Sequence, residues 1–182
     1  MTCIVGLVHD GKIYMGGDGQ YLAGWRKIRS SNPKIFRLGD MLIGTERSQR
    51  VSDIVQYALD LDDDLWDDPT IYLLVEFIPK LQECLKAHGS MLSKEGIDEM
   101  DATIMIGYKG HLFIIAEDFS LSQIGSAYEA IGGGAKYAVG YLYATDDIVS
   151  IGPEQAIENA ISCASHFSAS CGGPITILDI EA

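Results

Sequence analysis

Residues 2–20, TCIVGLVHDGKIYMGGDGQ, constrain the fold of this chain more than any other stretch. Two apolar runs flank the turn HDGK, and an Asp-Gly pair between such runs favours a tight antiparallel hairpin. Strands are therefore predicted over residues 2–8 and 12–16. The second run ends among glycines that surround Asp18, so a carboxylate is set just past a strand end. Thr2 stands directly behind the initiator Met1, at the other end of the same hairpin.

The chain has 182 residues, 47% of them hydrophobic, enough for one domain (1–182) with a substantial core. A formal net charge of -13 argues against nucleic-acid or anionic-membrane binding. No stretch reaches eighteen consecutive apolar residues, so no membrane span is expected. The N-terminus carries neither a basic leader nor a signal-length apolar segment, which leads to a cytoplasmic expectation. Cys3, Cys84, Cys163 and Cys171 form no CxxC pair and read as buried or incidental thiols. No metal or cofactor is expected.

Further along, short strands are predicted over 34–38 and 41–45, divided by Gly39-Asp40. The segment YLAGWRKIRSSNP between the hairpins is irregular in pattern and rich in positive charge. From Ser48 the period changes: Val51, Ile54, Val55, Ala58 and Leu59 recur at helical spacing. The acidic run DLDDDLWDDP reads as a solvated helix–helix connection. Pro69 suits the first turn of a helix placed over 68–88, with Pro79 inside it as a kink or break. ATIMIGYKGHLFIIAE predicts a hairpin turning at Lys109-Gly110. A short linker, a helix after IGGGAK, a helix over 153–168 and the strand PITILDIE complete the chain. Strands, two helices, strands, two helices and a strand suit a layered α+β domain rather than continuous βαβ alternation.

Several chemistries fit poorly. GGDGQ lacks the lysine and hydroxyl of a phosphate loop, and IGGGAK lacks both GxGxxG spacing and a following βαβ unit. Asp62, Asp63, Asp64, Asp67 and Asp68 do not follow the EF-hand pattern. There is no GxSxG, and Ser165-His166 are helix neighbours that point in different directions. Cys3 alternates to the face opposite Thr2 and reads as structural. Thr2 offers another route: with Met1 removed, its hydroxyl and a free α-amine share one residue, and the amine can take the hydroxyl proton. An α-amine titrates near 7.7 to 8.0, and a lysine cation nearby would keep it neutral and basic.

The sequence resembles the catalytic β subunits of proteasomes and the HslV peptidases. TCIVGLVHDGKIYMGGDGQ is similar to the family's first hairpin and its aspartate. Lys34 in NPKIFRL follows Asp18 at the family's interval. AIGGGAKYAVGYLYA resembles the AIGSG segment and its small-residue helix, and ASHFSASCGGPITILDI the last helix, its exit and the final strand. The resemblance spans essentially the whole chain.

It implies an N-terminal-nucleophile hydrolase fold, a four-layer αββα sandwich, in stacked homo-oligomeric rings of 12 or 14 subunits. It implies a threonine endopeptidase acting on peptides or unfolded proteins, with an ATP-dependent unfoldase as a possible partner. Thr2 would be the nucleophile, Asp18 and Lys34 its supporting pair, and Ser170 part of the same network. Gly132, Gly133 and Gly134 occupy the GSG segment, and amides near Arg47 and Ser48 are oxyanion candidates. Gln20, Tyr21, Leu22 and Thr45 would line an apolar substrate pocket. The chain departs from the family in three places: Gly133 replaces a serine, Phe167 an aspartate, and no glycine follows Gly44 near Arg47. A catalytically reduced shell protein and a non-proteolytic N-terminal-threonine amidase are the alternatives.

Overall fold

The computed structural model describes residues 2–24, 26–29, 32–61 and 66–181. Met1 lies outside the described residues, as do residues 62–65 of the acidic run expected as a solvated connection. The chain begins with β1 (Ile4–His9), β2 (Lys12–Asp18), β3 (Gln20–Ala23), β4 (Arg26–Arg29), β5 (Ile35–Leu38) and β6 (Met41–Arg47). Helices α1 (Gln49–Tyr57), α2 (Pro69–Tyr72) and α3 (Ile78–Ala87) follow, with a π-helical segment (Leu73–Phe77) joining the last two. Then come β7 (Met91–Lys94), β8 (Ile97–Met100), β9 (Ala102–Tyr108), β10 (His111–Ile115), β11 (Leu121–Gln123) and β12 (Tyr128–Ile131). The chain closes with α4 (Ala135–Ala144), α5 (Asp147–Ser150), α6 (Pro153–Phe167) and β13 (Ile175–Glu181).

Two antiparallel sheets form the centre, one ordered β12-β1-β2-β13 and the other β11-β10-β9-β6-β5. The first hairpin turns where predicted, at Asp10 (φ 47°) and Gly11 (φ 73°). Both φ values are positive, as the twist of a two-residue hairpin requires. Three apolar clusters fill three gaps between layers. Ile4, Ile13, Met15, Leu42, Met105 and Leu112 meet between the sheets. Val5, Leu7, Ala138, Ile157, Ala160 and Ile161 pack α4 and α6 onto the first sheet. Ile43, Val51, Val55, Leu81, Ile104 and Phe113 pack α1 and α3 onto the second. Burial of both faces of both sheets makes the αββα sandwich. It also explains why β1 and β9 read as continuous apolar runs rather than as alternating ones.

Six strands lie where the sequence reading placed none. β3 and β4 pair as a two-stranded ribbon, Tyr21 opposite Ile28 and Leu22 opposite Lys27, in the segment read as irregular. Its charges sit on an exposed ribbon, so no apolar alternation announces it. β7 and β8 pair across Glu95 (φ 53°) and Gly96 (φ 84°), a turn without the Asn-Gly or Asp-Gly signature. β11 and β12 are too short for a periodic signal. The long helix is divided as expected, but the adjustment precedes Pro79: the Ile78 amide donates to the Leu73 carbonyl, five residues back. This wider turn accommodates a residue that has no N–H and crowds the carbonyl four residues before it.

Gly16 sets the distance between β2 and α6. A Cβ placed there meets Ile157 Cγ2 at 2.2 Å and Ile161 Cδ1 at 3.0 Å. Gly16→Ala is expected to lower unfolding stability by about 1–3 kcal/mol through overpacking. Ile157→Ala in the same chain should recover part of that loss, so that the double variant is less destabilised than the sum of the singles. Urea unfolding of the four proteins checks this; simple additivity would show that β2 and α6 are not in this contact.

Candidate active site

The Asp18 carboxylate is where separate parts of the chain converge. Oδ1 accepts from the Cys3 amide at 2.8 Å and from Lys34 Nζ at 2.9 Å. Oδ2 accepts from the Gln20 amide at 3.2 Å and the Gly172 amide at 3.0 Å. An ionised carboxylate offers about four acceptor positions, and all four are used. The aspartate sits at the end of β2, and its donors come from the start of β1, the start of β3, the residue before β5 and the loop before β13. Asp18 is 1% exposed and Lys34 4% exposed, so the pair is dry.

Lys34 also donates to the Gln20 carbonyl at 2.6 Å, and its ammonium lies 4.9 Å from the centre of the Tyr21 ring. Burial pulls the Lys34 pKa below the usual lysine value, while Asp18 opposes that shift. The Tyr21 hydroxyl is pushed up to about 12 by burial and by the charges of Asp18 and Asp53.

Thr2 is buried and held through its main chain. Its carbonyl accepts from the Gly134 amide at 3.1 Å, ahead of α4. Gly132 has φ +95°, and a Cβ there would lie 2.3 Å from the Thr2 carbonyl oxygen, so a side chain is excluded. At Gly133 a Cβ would lie 2.6 Å from Ser170 Oγ, and at Gly134 one would lie 2.8 Å from Cys3 Cβ. The Ser170 hydroxyl thus occupies the space into which a side chain at 133 would project. It shares a 2.5 Å hydrogen bond with the Ser168 hydroxyl. Phe167 is exposed and stacks on Tyr137 with ring centres 5.8 Å apart. Cys3 and Cys171 are buried behind Thr2, and burial raises both thiol pKa values, which leaves them protonated and inert.

Beyond Thr2 the second sheet ends in an unusual turn. Arg47 adopts φ 74°, a left-handed conformation rare for a side-chain-bearing residue, and the Ser48 amide donates to the Glu46 carbonyl at 3.2 Å. A two-residue-apart bond across a positive φ is a strained γ-turn. The Arg47 guanidinium is tied to Glu117 at 2.7 Å and Asp101 at 3.7 Å, contacts that favour the strained backbone. Ser48 then caps α1, its hydroxyl accepting from the Val51 amide at 3.3 Å. Of the two expected oxyanion amides, that of Ser48 is therefore already engaged.

A narrow cleft separates Thr2 from α1, and Tyr21, Thr45 and Arg47 line it together with Gln49 and Ser52. Gln49 and Ser52 are absent from the sequence reading; a serine on a helical apolar face carries no signal until a neighbour faces it. Gln20 and Leu22, expected at the pocket, are not among the residues that line this cleft. The Gln20 side chain turns away to donate to the Ala169 carbonyl at 2.9 Å, and Leu22 follows Tyr21 on the strand and so points to the other face.

No profile of a protein family matches the chain. Among solved structures it is similar to Thiobacillus denitrificans BPH, with a TM-score of 0.84 and 23% identity over 99% of this chain and 98% of that one. It is similar to the same BPH in complex with epoxomicin, with a TM-score of 0.84 and 22% identity over the same shares of the two chains. The eukaryotic HslV of Trypanosoma brucei matches over 100% of both chains, with a TM-score of 0.71 and 17% identity. The chain has the HslV fold. The α+β architecture expected from the sequence resemblance is thereby established over its full length.

The four-donor cage gives a stability test. Asp18→Asn keeps the shape but turns an N–H₂ toward two of the four donors. Leaving buried donors unpaired beside Lys34 should cost about 3 kcal/mol or more. Denaturant unfolding measures it, and a loss below about 1 kcal/mol would contradict the cage.

Proposed function

We propose that the chain is a threonine-type endopeptidase whose nucleophile is Thr2, exposed as an N-terminal residue by removal of Met1. The observation that carries this reading is the dry Asp18–Lys34 pair beside Thr2, with every Asp18 acceptor position filled. A surface lysine would keep its ammonium in water. Here the ammonium is held where its charge disfavours protonation of a neighbouring amine.

The Thr2 amine takes the hydroxyl proton, and Oγ attacks the peptide carbonyl to give a tetrahedral intermediate. The amide of Arg47 is the remaining oxyanion candidate at the cleft. The protonated amine passes its proton to the leaving peptide amine as the C–N bond breaks, leaving an ester on Thr2. Water, deprotonated by the same amine, hydrolyses that ester and restores the hydroxyl. Ser170, with Ser168, positions the amine from the other side, in place of the hydroxyl that Gly133 lacks.

The similarity to HslV supports assembly into stacked rings of 12 or 14 copies enclosing the sites, with unfolded chains delivered by an ATP-dependent unfoldase. Large apolar side chains exposed on the outer helices, Leu74 and Val75 on one layer and Tyr143 and Val149 on the other, supply contact surface for neighbouring copies. Epoxomicin, bound by the similar BPH, is a ligand to try for reaction at Thr2. No helix among the described residues is long and apolar enough to cross a membrane. The intact buried cage favours an active enzyme over a shell that has lost its chemistry.

Lys34→Ala and Lys34→Arg should each lower kcat/KM for fluorogenic peptides by about a hundredfold or more, while light scattering shows the parent's assembly. Unchanged turnover in either variant would remove Lys34 from the mechanism.

A further inference from the structure

We propose that the cleft beside Thr2 selects a small, neutral, polar side chain (serine, threonine or asparagine) on the acyl side of the cleaved bond. This rests on the endopeptidase reading, but its evidence is separate. Thr45 Oγ1 and Ser52 Oγ are fully buried, and among the described residues neither has a hydrogen-bond partner. Both residues line the cleft that Thr2 opens onto. Buried hydroxyls are ordinarily paired, and two without partners, on residues that line one cleft, mark a place where a ligand supplies the missing partners.

Their position follows from the fold. Gly44 faces the first sheet, where a Cβ would meet Ile4 and Met15, so Ile43 and Thr45 point to the opposite face, the one α1 covers. Ser52 lies on the covered side of α1, beside buried Val51 and Val55. The two residues therefore stand on either side of the seam between strand and helix, and both line the cleft beside Thr2. The Ser48 cap fixes the start of α1 and hence the place of Ser52.

The chemistry of the occupant is limited on three sides. The cavity volume is about 10 Å³ and the pocket opens at its mouth, so only the polar tip of a short side chain enters it. The cleft offers no uncompensated charge: Lys34 is matched by Asp18, Arg47 by Glu117 and Asp101. A charged side chain would be desolvated without a partner. An apolar side chain would displace water and leave both hydroxyls unpaired. A short hydroxyl or carboxamide both donates and accepts, as Thr45 and Ser52 do. This reading differs from the apolar preference expected from Tyr21 and Leu22: Tyr21 lines the cleft, Leu22 does not, and Ser52 does.

The test uses fluorogenic tripeptides that differ only at the residue before the cleaved bond, in the near-isosteric pairs Ser/Ala, Thr/Val and Asn/Leu. The assembled parent should favour the polar member of each pair by about tenfold in kcat/KM. In Ser52→Ala and Thr45→Val that ratio should fall toward unity. Calorimetry of Thr2→Ala with tripeptides ending in the same residues reads binding without chemistry and should show the same ranking. Polar preference in binding without turnover by the parent would keep the cleft assignment and sink the endopeptidase reading. Turnover with equal or apolar preference would overturn the cleft assignment and leave the endopeptidase reading standing. Neither turnover nor binding would overturn both.

Discussion

One buried carboxylate organises this protein. Asp18 is almost fully enclosed, and an ion in that position is tolerable only if its lone pairs are satisfied and its charge is matched. Lys34 supplies the charge, and the amides of Cys3, Gln20 and Gly172 complete the shell. Those donors belong to the start of β1, the β2–β3 junction and the loop between α6 and β13. Residues that the sequence separates by as many as 154 positions are thus fixed around one group. Removing one donor affects both the sandwich and Thr2, because the Cys3 amide immediately follows the proposed nucleophile.

The layers serve the same end. Glycines allow close approach: Gly16 under α6, and Gly44 between the sheets with Ile4 and Met15 nearby. The ends of β1, β2, β5 and β6 are consequently drawn together at one edge of the sandwich. At that edge the backbone of Arg47 is bent into a left-handed turn where a glycine would be expected. Its guanidinium, held by Glu117 and Asp101, offsets some of the strain. Ser170 answers the lack of a side chain at 133 in a similar way, by filling the space itself.

The first hairpin, the Lys109-Gly110 turn, α6 and the last strand were legible because turn residues and burial on one face leave a periodic trace. Thr2, Asp18 and Lys34 were legible through the resemblance to the proteasome β and HslV family, and the structure brings them together. What escaped carries weaker local signals. The β3–β4 ribbon is charged and exposed, and the β7–β8 turn uses Glu-Gly. Ser52 acquires meaning only when Thr45 is placed across from it by pairing of β6 and packing of α1. The positive φ of Arg47 was hidden for the opposite reason, since the residue type argues against the conformation that its ion pairs stabilise.

The central claim is that this cage makes Thr2 the reacting residue. Acylation tests it most directly: the assembled protein, with Met1 removal verified by intact mass, is incubated with an activated peptide ester and quenched in acid. Mass spectrometry of the digested chain should show one acyl group, carried by the peptide that begins at Thr2, and none in Lys34→Ala. Acyl transfer to Ser48 or Ser170 instead, or no acylation of a chain that begins at Thr2, would contradict the account.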